Sequence, residues 1–244
     1  MMTKLFYSVA IIALLPPATF GEGLLYQLPD DGHWVRFEID GTGTEPDGTE
    51  IKLVGTLTMS SVGTVDMDGK KCRWIEIVTE AKRAGEPFTD IDKLLIPEHR
   101  LAKGKEPLKH VLKAWRKHSM GDGPPRKIED LAGESGALYL RKLNPSLHGP
   151  FETTKELEPV RIDSKLGKLE CKGITASEKI EQGGGVTIHS TYSIRLHNKA
   201  PFGVVSWEAK WKVEQDGQAL GTMTMKMKVA DFGTDAKSMI PDAE

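Results

Sequence analysis

The sequence predicts an α+β protein that is mainly antiparallel β, a curved sheet or open barrel with one amphipathic helix packed across it. Three observations carry this: a long alternating hairpin near the C-terminus, further alternating runs separated by turn residues, and a single stretch of helical periodicity in a basic segment.

Residues 204–229 make the clearest element. Val205, Trp207, Ala209, Trp211 and Val213 alternate with Ser206, Glu208, Lys210, Lys212 and Glu214. Beyond Asp216-Gly217, Met223, Met225, Met227 and Val229 alternate with Thr222, Thr224, Lys226 and Lys228. A period of two sends the sets to opposite faces, so this is a hairpin with one dry and one wet face. A three-residue loop, Gln215-Asp216-Gly217, is expected, with Trp207 opposite Met225 and Ala209 opposite Met223. A two-residue Asp216-Gly217 loop would instead place Trp211 opposite Thr222 and Trp207 opposite Lys226, mixing the faces.

Earlier strands follow the same rule. Val35, Phe37 and Ile39 alternate with Trp34, Arg36 and Glu38, and Ile51, Leu53, Gly55, Leu57 and Met59 make a long second strand. Asp68-Gly69 turns into residues 72–79, where Trp74 and Val78 share a face, and residues 88–96 form a strand stopped by Pro97. Strands resume at Val160. Leu169 and Cys171 lead to Gly173, and after three glycines Val186, Ile188, Tyr192, Ile194 and Leu196 share one face.

The helix is expected behind Pro107. Leu108, Val111, Leu112 and Trp115 fall at i, i+3, i+4 and i+7, leaving Lys109, Lys113, Arg116 and Lys117 on a basic surface. It belongs to a basic insertion at about residues 98–136. A helical turn is expected near 128–131, and residues 138–143 fit a short strand or a short helix. Successive hairpins joined to such an insertion give the fold class.

Residues 1–21 read as a signal peptide: Lys4, an apolar run from Leu5 to Leu15, Pro16-Pro17, then small residues ending at Gly21. The apolar run is short for a membrane span. Residues 22–244 are then one exported, β-rich domain, secreted or periplasmic. A formal charge of −2 gives no general affinity for nucleic acid. Charge is nonetheless segregated. Eight acids face one arginine over residues 22–50, and nine bases face two acids over residues 100–127. The basic segment therefore either neutralises the acidic one, stands in solvent, or contacts anionic membrane peripherally. Cys72 and Cys171 are the only cysteines. In an oxidising compartment they are expected to form a disulfide, the alternative being two buried thiols.

No catalytic, metal or cofactor site is expected. His189 and His197 point the same way from one strand but lie roughly 26 Å apart at ~3.3 Å per residue, beyond the reach of one ligand. There is no HExxH, CxxC or nucleophile-elbow pattern. The richest feature is the dry face made by Trp207, Trp211, Met223, Met225 and Met227. Wide aromatic rings and adaptable thioethers suit either a packed core or an apolar ligand.

Trp74-Ile75-Glu76, followed by Leu94-Leu95-Ile96-Pro97-Glu98, resembles exported proteins of unknown function. Signal, curved sheet and helix together resemble the half-barrel fold of periplasmic lipoprotein carriers. That resemblance implies an apolar or acyl ligand in the concavity. The leading expectation is an exported binding protein holding an apolar or lipid-like ligand between sheet and helix. An envelope interaction protein with a fully packed core is the second reading, and an unrecognised hydrolase the third.

Overall fold

The computed structural model describes residues 23–101, 105–118, 123–131, 133–143, 151, 154–182 and 184–241. The expected signal peptide lies outside the described residues. Among these residues eleven strands form one antiparallel sheet. They are β1 (Trp34–Thr44), β2 (Glu50–Met67), β3 (Lys70–Arg83), β4 (Glu86–Pro97), β5 (Lys113–His118), β6 (Arg126–Ile128), β7 (Thr154–Ser164), β8 (Gly167–Gln182), β9 (Val186–Leu196), β10 (Val204–Gln215) and β11 (Gln218–Gly233). Among the described residues there is a single α-helix, α1 (Gly133–Leu143), between β6 and β7 in the chain.

The strand order is β6-β5-β4-β3-β2-β1-β11-β10-β9-β8-β7. Two meanders thus meet at the centre, where β1 pairs with β11, and the sheet is not closed into a barrel. It curls instead. One apolar cluster takes side chains from β1 to β6, from β8 to β11 and from α1, so a single face encloses the core. The segment before β1 inserts Leu24 and Leu25 into it. Two strand glycines mark the tightness of the curl. A Cβ on Gly55 would stand 2.2 Å from Glu80 O, and one on Gly43 2.5 Å from Thr222 O.

The expected pairing of the C-terminal hairpin needs correction. Asp216 and Gly217 both have positive φ, +51° and +81°, which makes a two-residue turn whose twist suits the flanking strands. The extra residue sits further along β11, at Leu220, because Val213 faces Gly221 while Glu214 faces Ala219. This bulge keeps the faces unmixed, with Trp207 opposite Met227, Ala209 opposite Met225 and Trp211 opposite Met223.

The expected basic helix is absent. Pro107–His110 makes one 3-10 turn, and the chain turns extended at Val111. Leu112 N then bonds to Leu95 O, and β5 adds to the free edge of β4. Apolar residues at i, i+3, i+4 and i+7 also fit a turn followed by a strand, and an unpaired β4 edge favours the ladder. As a result Ala114 enters the core, Trp115 goes to the opposite face and Leu112 is 44% exposed. The turn expected near 128–131 is instead the end of β6 followed by Asp130 with φ +56°. Residues 138–143 belong to α1, which sends Ala137 and Leu140 into the core.

The disulfide is also corrected. Cys72 on β3 and Cys171 on β8 are separate, buried, free thiols. Five strands lie between theirs in the sheet, and Cys171 packs with Leu169, Ala200 and Val205 outside the main core. Burial pushes both thiols up from their ordinary range.

Candidate functional site

Strand parity builds a charged end onto the core face. On β4, Ile96 and Leu94 are core residues, and Asp92 and Asp90 continue the same face; on β5, Ala114 is followed in phase by Arg116 and His118. The ladder pairs Asp92 with Arg116 and Asp90 with His118. The side chains complete the pattern. Arg116 donates from one amino group to Asp92 Oδ1 at 3.1 Å and from the other to Asp90 Oδ2 at 2.6 Å. His118 Nδ1 meets Asp90 Oδ1. Asp92, Arg116, Asp90 and His118 therefore form one chain of charge running from the buried interior to a half-exposed imidazole. A buried carboxylate needs such partners to stay ionised without large cost.

This chain ends in a cleft of about 680 Å³. Arg116, His118, Arg126 and Ile128 wall it from the sheet, and Ser135 and Tyr139 wall it from α1. Glu129, Asp130 and Lys127 stand at the same opening, with Lys127 Nζ 3.1 Å from Glu129. Arg116 and Arg126 are ladder partners, so two guanidinium groups leave adjacent strands on one face. Arg116 is neutralised twice over, whereas Arg126 has no partner among the described residues. The cleft thus offers one uncompensated guanidinium, an imidazole and two hydroxyls beside Ile128 and the Tyr139 ring. With Nδ1 held by Asp90, Nε2 is the ring nitrogen left to hydrogen-bond an occupant.

The Trp/Met residues take a different place. Trp207, Met225 and Met227 are buried in the main core, and Trp211 and Met223 are half-buried on the same face. Tyr192 joins them, its ring centroid 5.9 Å from Trp207, 6.4 Å from Trp211 and 4.4 Å from Phe151. Two buried polar atoms here, Trp207 Nε1 and Ser190 Oγ, have no hydrogen-bond partner among the described residues.

The basic surface is dispersed. Lys109 Nζ lies 2.7 Å from Glu106, Arg116 faces the core, Trp115 and Lys117 point to the outer side, and Lys113 is half-buried. Among the described residues, Arg116 pairs with Asp90 and Asp92, Lys109 with Glu106 and Lys127 with Glu129. His189 stands 3.3 Å from Glu214, and His197 Nδ1 accepts from the Lys199 N–H, so each histidine has a local partner. Among the described residues no cluster of metal-ligating side chains occurs, and no helix is long and apolar enough to cross a membrane.

Sequence reading missed the ionic chain, although its signal was present. Asp90 and Asp92 sit in phase with Leu94 and Ile96, so acids occupied core positions of an apolar strand. The helical reading of residues 107–117 hid their partner, because it placed Arg116 in solvent.

No protein-family model and no curated protein matches the chain. Among solved structures it is similar to a protein of Bacteroides fragilis taken to be exported and given a YmcC-like fold. That match has 9% identity and a TM-score of 0.35, and covers 85% of this chain and 98% of that one. It is also similar to a β-barrel-like protein of Brucella abortus with a domain of unknown function, DUF1849. There the identity is 9% and the TM-score 0.27, over 83% of this chain and 97% of that one.

Proposed function

We propose that this is an exported binding protein that holds an acyl-chain ligand with an anionic head group in the cleft between β5–β6 and α1. The observation that carries the reading is the wall of that cleft: Arg126, without a partner among the described residues, beside His118 and next to Ile128 and the ring of Tyr139. An anion there gains charge-assisted hydrogen bonds in a half-dry setting, and an apolar tail gains the ring face and the edge of the core. Arg116 stays committed to its two aspartates, so it positions the wall and the imidazole while Arg126 meets the ligand. Export itself is supported by the signal pattern of residues 1–21.

Titration with a fluorescent long-chain fatty acid tests this. One equivalent should bind per chain. Arg126→Glu should weaken binding at least tenfold, while Lys210→Glu, a charge change on the outer side of β10, leaves it unchanged. Saturable binding lost equally in both variants, or no binding at all, contradicts the reading. No binding would favour an envelope protein without a ligand.

A second reading keeps the ligand against Trp207, Trp211, Met223, Met225 and Met227. It is favoured by the two buried polar atoms there without a partner among the described residues, Trp207 Nε1 and Ser190 Oγ, since a ligand could offer either of them a hydrogen bond. Under that reading Ser190→Ala and Trp211→Ala weaken fatty-acid binding, and Arg126→Glu does not.

A further inference from the structure

The outer face of β3, β4 and β5 is unlike the rest of the sheet exterior. Glu76, Lys93 and Trp115 lie side by side on one rung across the three strands, flanked by Trp74, Val78 and Ile91. Both charged residues are 1% exposed. What covers them is the chain's own end. The Glu76 carboxylate accepts from Met239 N at 2.9 Å, from Ile240 N at 3.2 Å and from Ser238 Oγ at 2.8 Å. Lys93 Nζ donates to Ile240 O at 2.7 Å and stands 5.0 Å above the Trp74 ring. The Ile240 side chain is buried among Val78, Ile91, Trp115 and Trp74, while Met239 points to solvent.

These contacts read a peptide rather than merely shield a surface. A carboxylate holds two consecutive backbone N–H groups, an ammonium holds the following carbonyl, a hydroxyl is selected at one position and an aliphatic side chain two residues later. Burying both charges is costly, and an apolar strap over an apolar patch would hold the tail without that cost. Charged groups that meet backbone polar atoms fix register and direction, and the bend at Met239-Ile240 is what lets two consecutive N–H groups converge on one carboxylate. The tail itself joins the sheet loosely. Between β11 and Ser238 it is held by Ala236 N to Gly32 O and by Trp34 Nε1 to Asp235 Oδ1.

We infer that this groove is a docking site for a bent segment of another polypeptide carrying a hydroxyl residue, any residue, then a branched aliphatic residue, and that Ser238-Met239-Ile240, bent at its last two residues, occupies it in cis. The tethered tail competes at an effective concentration on the order of millimolar, so a free peptide binds measurably only once the tail is disengaged.

The test uses the full chain carrying Ile240→Asp and a fluorescently labelled peptide of residues 235–241, followed by anisotropy. The peptide should bind I240D at least tenfold more tightly than the unaltered protein. Glu76→Gln added to I240D should abolish binding, as should Ser238→Ala with Ile240→Asp in the peptide. If I240D loses its strand circular dichroism, Ile240→Ala replaces it with the same expectation. A folded tail variant that ignores the peptide overturns the inference. So does an unaltered protein that dimerises by exchanging tails, since the occupant in trans is then a second copy.

Discussion

Trp207 and Trp211 share one face of β10, four residues apart, yet their environments differ. Trp207 is 1% exposed and packs against Tyr192 and Met227, whereas Trp211 is half-buried. Trp207→Ala should cost about 3–5 kcal/mol, the range for deleting a buried aromatic side chain. Trp211→Ala should cost clearly less, and His189→Ala or His197→Ala should stay within about 0.5 kcal/mol, as for surface sites. Denaturant midpoints check the order, and a histidine as costly as Trp207 would reverse the assigned faces. The thiols give a second test at this scale. Because burial raises both, the native state keeps its thiol protons where the unfolded chain has begun to lose them. Their contribution to stability is therefore complete below the unfolded thiol pKa of ~8.5 and declines as pH rises beyond it. Thiol titration of unfolded, unreduced protein should find two free groups, and the folded protein should react slowly at pH 9. One disulfide and no free thiol would contradict this.

At the scale of elements, β5 separates what was legible in the sequence from what was not. The strands on either side of the β1–β11 seam were visible because one face of each is apolar and the other polar, and period two has few rivals over ten residues. Residues 107–117 were ambiguous. Four apolar residues in eight satisfy helical spacing, and nothing local records that β4 lacks a partner on one edge. Substitution distinguishes the two arrangements. Leu112→Lys should shift stability by no more than about 0.5 kcal/mol because the site is exposed. Ala114→Leu should cost about 1–3 kcal/mol because a fully buried alanine between Leu94 and Ile128 leaves no room. A helix with Leu112 on its buried stripe and Ala114 outside it predicts the reverse order, readable from the same midpoints. The candidate cleft was hidden for the same reason. Arg126 and His118 reach one opening only if β5 and β6 are strands of this sheet.

At the scale of the whole molecule, the sheet's path depends on backbone closeness that no hydrophobic pattern reports. Gly55 looks like an ordinary apolar-face position of β2, but the β3 backbone lies where its side chain would begin. Gly55→Ala should destabilise more than a typical strand glycine substitution, because two strands must part to admit a methyl group. Thermal melts comparing it with Gly48→Ala, a site with open space but left-handed φ, check this. Equal and small losses would mean that the sheet is less tightly coiled at Gly55 than described. The pairing of β1 with β11 was likewise invisible locally, since it joins residues nearly two hundred positions apart. It nevertheless decides that one face encloses a shared core, and that the polar end of this face opens beside α1.

The most direct measurement of the proposed function is photo-crosslinking with a fatty acid carrying a diazirine on its acyl chain, followed by mass spectrometric mapping of the labelled peptides. If the ligand lies in the cleft, label falls on the peptides containing β6 and the Tyr139 turn of α1, and unlabelled fatty acid competes it away. Label confined to β10 and β11, around Trp211 and Met223, or no competable label anywhere, would contradict a ligand held between β5–β6 and α1.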